Sequence, residues 1–309
     1  MRRLIVALAA VAASGLVPAV SYGRCNDLDY ETKKALADKA ERIADQLTTS
    51  DDIDEIAKFR AELEVIGAKC VDIIAKPQIL GKILASSKFR VRLHGVLLMQ
   101  SLQQTVNREA GGKRALNKAL YAYVSQSLDD SNEAVLYRVT KVIELVSTVN
   151  DADVDKVVKL VQTGSDPLKR TAAKALAEIG DKRAVSALAV QLAREDDQGV
   201  ALVLSFALHK LTGLEDPLGR ARNENDFAVG KLSWLKVAVS GSVVPKLPVA
   251  EANGILRRQL KADQPLAVWA GILSELARIN GKPEWVVRNP NDDKEVEKIR
   301  AECLKALGP

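Results

Sequence analysis

From Asp166 onward the apolar residues recur three and four positions apart. Leu168, Ala172, Ala175, Leu176 and Ile179 make one stripe, and Ala184, Val185, Leu188 and Leu192 make a second. Between them Gly180 stops the first helix. Asp166 reads as its cap, with Pro167 at the first helical position, where a missing N–H costs no hydrogen bond. Ala172, Ala173 and Ala175 carry little side chain, so neighbouring helices can approach closely. The spacing predicts two antiparallel helices joined by a short turn.

The same pattern returns along the chain. One copy opens at Asp130, with Val135, Val139, Val142 and Ile143, and is completed by Val154 to Val161. Another first helix starts at Asp197 and runs to Gly213. Fainter copies start at Ser87 and Asp263. The starts at 130, 166 and 197 lie 36 and 31 residues apart, which is a solenoid period. The reading is all-α: an α-solenoid, or superhelix, of antiparallel helix pairs over 86–280. A helical hairpin over 22–85 would cap its start and a helix over 281–309 its end. The unit over 166–197 resembles the HEAT-like repeat of the phycobilisome-lyase type, as found in exported bacterial repeat proteins. That resemblance covers about 32 residues and implies the repeat fold, not a lyase activity.

The segment 214–247 breaks the period. It holds Asp216-Pro217-Leu218-Gly219, a polar run from Arg220 to Asp226, Trp234 and Pro245, with Pro248 just beyond. Leu211-Thr212-Gly213 followed by a tryptophan some twenty residues later resembles a recurring feature of exported bacterial HEAT proteins. The resemblance implies that Leu-Thr-Gly ends a helix and the tryptophan packs back on the array. Such an insertion either adds to a binding face or serves as a packed connection.

The first residues differ in kind. Arg2 and Arg3 precede a chargeless run from Leu4 to Val20, and Ala19 and Ser21 stand at −3 and −1 of a cut after Ser21. Residues 1–21 therefore read as a signal peptide, with an uncleaved anchor as the alternative. A lipoprotein signal does not fit, because Arg24 precedes Cys25 where a small residue is required. No other segment is apolar enough to span a bilayer, so the expected location is periplasmic or secreted. Without Arg2 and Arg3 the chain has 43 basic and 40 acidic residues. A surplus so mild argues against a nucleic-acid partner.

Export bears on the cysteines, since an oxidising compartment permits a disulfide. Helices are expected over about 27–48 and 52–68, with Thr48 to Asp52 as the turn. Cys25 sits just before the first helix and Cys70 just after the second, so an antiparallel pair brings them together. The alternative leaves Cys70 as a buried apolar residue. Cys303, between Ile299 and Leu307 on the last helix, reads as core.

The search for chemistry assigns no catalytic, cofactor-binding or metal-binding residue, and no cofactor. The two histidines, His94 and His209, each lie in an apolar helical stretch, and no His-Glu dipeptide is present, which argues against a HEAT-repeat hydroxylase of the deoxyhypusine type. Acidic pairs such as Asp51-Asp52, Asp196-Asp197 and Asp292-Asp293 fall where helices begin and read as caps. Asp151 to Asp155 lacks the glycine and glutamate of a calcium loop and reads as a helix start.

What remains is a surface. The second helices of the pairs, expected over 112–128, 154–162, 182–194 and 250–262, would line the concave side. They carry Arg114, Lys118, Tyr121, Lys159, Arg183, Arg194, Arg257 and Arg258, with few acids between. This ridge suits an acidic protein segment or an anionic polymer of the envelope. It is also compatible with an ordinary solvated face. Two functions stand: a non-catalytic scaffold binding its partner on the concave face, or an enzyme or lyase-like subunit with its site near 214–247.

Overall fold

In a computed structural model, residues 24–115, 118–240 and 247–308 are described. The expected signal peptide and residues 241–246 of the irregular segment lie outside them. The described chain is all-α. Its helices are α1 (Tyr30–Thr49), α2 (Ile53–Lys69), α3 (Val71–Ile74), α4 (Lys82–Leu84), α5 (Phe89–Glu109), α6 (Lys118–Ser127), α7 (Glu133–Glu144) and α8 (Asp151–Thr163). They continue with α9 (Asp166–Ile179), α10 (Ala184–Arg194), α11 (Gln198–Thr212), α12 (Glu224–Ser240), α13 (Val249–Lys261), α14 (Leu266–Asn280) and α15 (Asp293–Ala306). No helix among the described residues is long and apolar enough to cross a membrane.

Local chemistry sets the helix ends. Asp29 and Asp52 cap α1 and α2 by accepting from the backbone N–H groups of Thr32 and of Asp54 and Glu55. Asp197 and Asp292 do the same for α11 and α15. Gly180, Gly213 and Gly281 end α9, α11 and α14 with φ of 76°, 74° and 63°, a left-handed conformation that side-chain-bearing residues resist. The α1–α2 hairpin brings Cys25 and Cys70 together in a disulfide with Cα atoms 4.7 Å apart.

One expected cap is corrected. Ser165, not Asp166, is the N-cap of α9, Asp166 and Pro167 being its first two residues. The Ser165 hydroxyl donates to Glu133 of the preceding repeat instead of capping its own helix. Asp166 gains from its place in the first turn, where the helix dipole favours a carboxylate.

The helices stack in two layers. Helices α5, α7, α9 and α11 pack side by side in one, with α2 continuing it, and α8, α10 and α12 in the other. Between the layers lies a core from Cys25 to Ala238, which includes the predicted stripe residues Leu168, Ala172, Ala175, Leu176, Val185, Leu188 and Leu192. Charged side chains tie successive repeats at the edges. Arg92 grips the half-buried Asp130 with two guanidinium nitrogens at 2.7 and 2.9 Å. Lys156 reaches Asp129 at 2.6 Å and Lys169 reaches the buried Glu195 at 3.0 Å.

Beyond α12 the packing changes. Helix α14 lies on α12 and α13, not beside α11. Helices α13, α14 and α15 close a second core with Val190 and Ala193 of α10 and with Leu232, Leu235 and Val239 of α12. Cys303 is buried in it, and burial pushes its thiol up to about 11. Helix α12 therefore serves two cores. Its Trp234 and Ala238 enter the first while Leu232, Leu235 and Val239 enter the second.

Candidate functional site

The irregular segment packs against the array through its tryptophan. Gly213 turns the chain out of α11, and the buried Trp234 comes back to it, donating from Nε1 to Ser205 Oγ at 2.6 Å. Ser205 in turn donates to Asp216, whose carboxylate accepts the backbone N–H of Leu218 at 3.1 Å and of Gly219 at 3.2 Å. The loop after α11 is thereby pinned to the array.

Where the two cores meet, a cleft of about 320 Å³ opens between the end of α10, the face of α12 and the α13–α14 turn. Its apolar walls are Phe227, Leu232 and Leu235 of α12 and Val268 and Ile272 of α14. Gln198, Gln259 and Gln264 contribute carboxamides. Gln264 donates to Gln259 at 3.4 Å, and Gln259 donates to the Ala193 carbonyl at 2.8 Å, fixing the α13–α14 turn against α10. Arg194, Asp196, Glu224 and Lys231 bring the charge.

These charges are not equivalent. The Lys231 ammonium donates to the Glu195 carbonyl and lies 5.6 Å from the Phe227 ring. Burial lowers its pKa, against the pull of Asp196 and Glu195. Arg194 has no ion-pair partner among the described residues. Burial and the neighbouring Arg258 both lower its pKa, opposed by Glu251. Arg258 is exposed, and the adjacent Arg257 keeps a buried Nε without a hydrogen-bond partner.

The structure places the eight ridge residues in different settings. Arg194 lines the cleft, with Arg258 as a charged neighbour. Arg114 does not lie on a second helix. The pair Gly111-Gly112, with Gly111 at φ 67°, delays that helix to α6, and residues 111–115 form a loop whose Arg114 carbonyl accepts from Ser147 N–H at 3.0 Å. Arg183 likewise precedes its helix, and its guanidinium is neutralised by Asp181 and by Asp151 at 2.6 Å. Tyr121 donates to the Thr148 carbonyl at 2.8 Å. Lys159 is exposed on α8. Lys118 opens α6, and Arg257 sits half-buried on α13.

The histidines do not meet. Burial, reinforced by Arg60, lowers the pKa of half-buried His94. His209 donates from Nδ1 to the Leu214 carbonyl at 2.5 Å, just past the end of α11. Among the described residues no three metal-ligating side chains converge.

The cleft walls were not singled out from sequence. A signal was present: α12 carries apolar residues on two faces, which marks a helix buried from both sides. Which elements cover those faces depends on α14 leaving the first layer, and no local pattern encodes that.

Residues 122–208, from α6 into α11, match the family model described as HEAT repeats. Among solved structures, a designed armadillo repeat protein is similar at 16% identity, over 87% of this chain and 100% of that one, with a TM-score of 0.35. No curated protein matches the chain.

Proposed function

We propose that this HEAT-repeat protein is a non-catalytic binding scaffold of the cell envelope or exterior, and that its partner docks at the cleft that Arg194 lines. The observation that carries the reading is the Arg194 guanidinium, which makes no ion pair among the described residues and lines a cleft in a helical-repeat stack, with Arg258 as a charged neighbour. An unpaired guanidinium in a cleft is a site an acidic group of a partner can neutralise. The Cys25–Cys70 disulfide and the apolar run from Leu4 to Val20 support an exported chain.

The test has two arms. N-terminal sequencing of the mature chain from fractionated cells is expected to begin at Tyr22. Cross-linking in the envelope is expected to recover a partner that Arg194→Glu and Arg258→Glu abolish and Arg183→Glu spares, since Arg183 is already neutralised. Equal recovery with all three variants removes the docking proposal.

The lyase-like reading near 214–247 draws on one observation, the depressed Lys231 amine inside the cleft. That amine is committed to the Glu195 carbonyl, so it offers no free nucleophile, and the scaffold reading is the better supported.

A further inference from the structure

Helix α11 ends the first layer of the array, and its outer side differs from those of the helices before it. Aligned on their buried residues, Val135, Leu168 and Val200 share one position of α7, α9 and α11, and Val139, Ala172 and Leu204 share another. Leu202 then stands where α7 has Tyr137 and α9 has Arg170, and Phe206 where they have Lys141 and Lys174. In α9 the first of these positions touches the next helix: the Arg170 guanidinium lies 3.2 Å from where a Cβ of Gly199 on α11 would stand. Helix α11 has no such neighbour, because α14 packs on α12 and α13 instead. The loop after α11 is held to its Ser205 edge through Asp216 and leaves Leu202, Phe206 and Leu214 exposed at 42%, 48% and 38%. His209 joins them into one patch, stacking its ring near Phe206 and bonding the Leu214 carbonyl. Single exposed apolar residues are ordinary, but a patch of them at the open end of a helical layer is a surface shaped for another helix.

We propose that a second copy of this chain covers that face, the two α11 helices packing antiparallel across a two-fold axis near Leu204. A two-fold contact requires a self-complementary surface. Leu202 and Phe206 lie two positions either side of Leu204, so the axis sets Leu202 of one copy against Phe206 of the other. The same rotation carries the start of α11 to the end of its mate. Asp197 caps that start with one carboxylate oxygen, accepting from the Val200 N–H, and its other oxygen takes no hydrogen bond among the described residues. Lys210, near the end, spends one proton on Glu178, which Lys113 also neutralises, and has others for a second acceptor. An acidic start facing a basic end favours antiparallel pairing over parallel, and so do the opposed helix dipoles. With 15 residues α11 is about 22 Å long, so the contact falls at the small end of specific interfaces and the dimer depends on concentration. Leu202, Phe206 and Leu214 do not line the cleft. The dimer therefore leaves it open and presents two copies of it, which goes beyond the scaffold reading without depending on it.

The experiment uses the full mature chain with its disulfide intact. Sedimentation equilibrium is run at concentrations up to about 200 µM on the wild type, Phe206→Glu and Leu202→Arg, each verified as folded by circular dichroism. The wild type is expected to approach twice the chain mass as concentration rises, and each variant to associate at least tenfold more weakly. The register is read by mixing Leu202→Cys and Phe206→Cys chains under mild oxidation. The mixture should cross-link faster than either variant alone, and Lys174→Cys on α9 should not cross-link. A wild type that keeps the mass of one chain overturns the proposal, and so does a dimer that both charged variants leave intact. A mixture that cross-links no faster than the separate variants overturns the antiparallel pairing. None of these substitutions touches the cleft, so failure here leaves the scaffold reading to its own test.

Discussion

The array over 87–212 and the block over 224–306 use the same unit, an antiparallel helix pair, and secure it by different means. In the array, beside local pairs such as Lys141 to Glu144, ion pairs run between successive repeats: Arg92 to Asp130, Lys156 to Asp129, Lys169 to Glu195, and Lys113 and Lys210 both to Glu178. In the block, the ion pairs among the described residues are all local, Arg278 to Glu275 and Arg300 to Glu297 within one helical turn and Lys282 to Glu284 beside it. There the cross-helix ties are aromatic and main-chain. Arg300 lies 4.0 Å over the Trp269 ring and donates to the Leu260 carbonyl at 2.8 Å, and Trp269 donates to the Ala262 carbonyl at 3.1 Å. Charge at the rim sets register where repeats are alike and their small side chains could slide. Large, shape-specific residues set it where the repeat is lost.

The strongest way to break this contrast is at the shared helix. Trp234→Ala removes the largest fully buried side chain of α12 and strands the hydroxyl of Ser205. The expected loss is about 3–5 kcal/mol by urea denaturation. Hydrogen exchange should quicken in α11 and α12 while α14 and α15 keep their protection. Equal loss of protection in all four helices would mean that the two cores unfold as one.

A comparable loss is expected at the other end of the array. Replacing Cys25 and Cys70 by serine opens a loop spanning 45 positions, costing ~3–4 kcal/mol in the chain-entropy model. The change in exchange should be confined to α1 to α5. If the block loosens as well, the array transmits strain along its length and the contrast between regions weakens.

Acid provides a graded test. Burial works against ionisation of Asp130, but Arg92 and the Asn132 N–H overcome it and hold the carboxyl below its usual value. Burial likewise opposes ionisation of Glu195, and Lys169, Gln191 and the Asp197 N–H outweigh it. Hydrogen bonds from Lys113 and Lys210 lower Glu178. A carboxyl depressed on folding contributes stability above its unfolded pKa, near 4, and loses it as pH falls through the folded value. All three of these carboxyls belong to the array. Between pH 5 and pH 2 the array should therefore lose hydrogen-exchange protection before the block does. The reverse order would count against rim charges as the array's register.

The array was open to reading because its information is local. Leu168 to Leu192 carry the period, Gly180 the stop and Asp197 the next cap, and all sit where the sequence put them. The site was less legible. Arg114 and Arg183 look helical by composition, yet a glycine pair delays α6 and Arg183 occupies the capping turn before α10. Arg194 and Arg258 lie 64 positions apart, and only the packing of α10 with α13 in the second core makes them charged neighbours. Long-range packing of that sort leaves no periodic trace.

The smallest expected effect is the one on which the two regions should agree. Gly180 and Gly213 close array helices and Gly281 closes α14 of the block, all at positive φ. A methyl group built on any of the three meets no atom within 4 Å. Substitution by alanine therefore costs backbone conformation alone, roughly 1 kcal/mol at each site, with no packing contribution to blur it. Urea midpoints for Gly180→Ala, Gly213→Ala and Gly281→Ala should fall by similar amounts with unchanged slopes. Suppose instead that Gly281→Ala lowers the midpoint far less than the other two. The block would then be unfolding separately, below the transition that reports the array, and its aromatic ties would be the weaker of the two means of holding a helix pair.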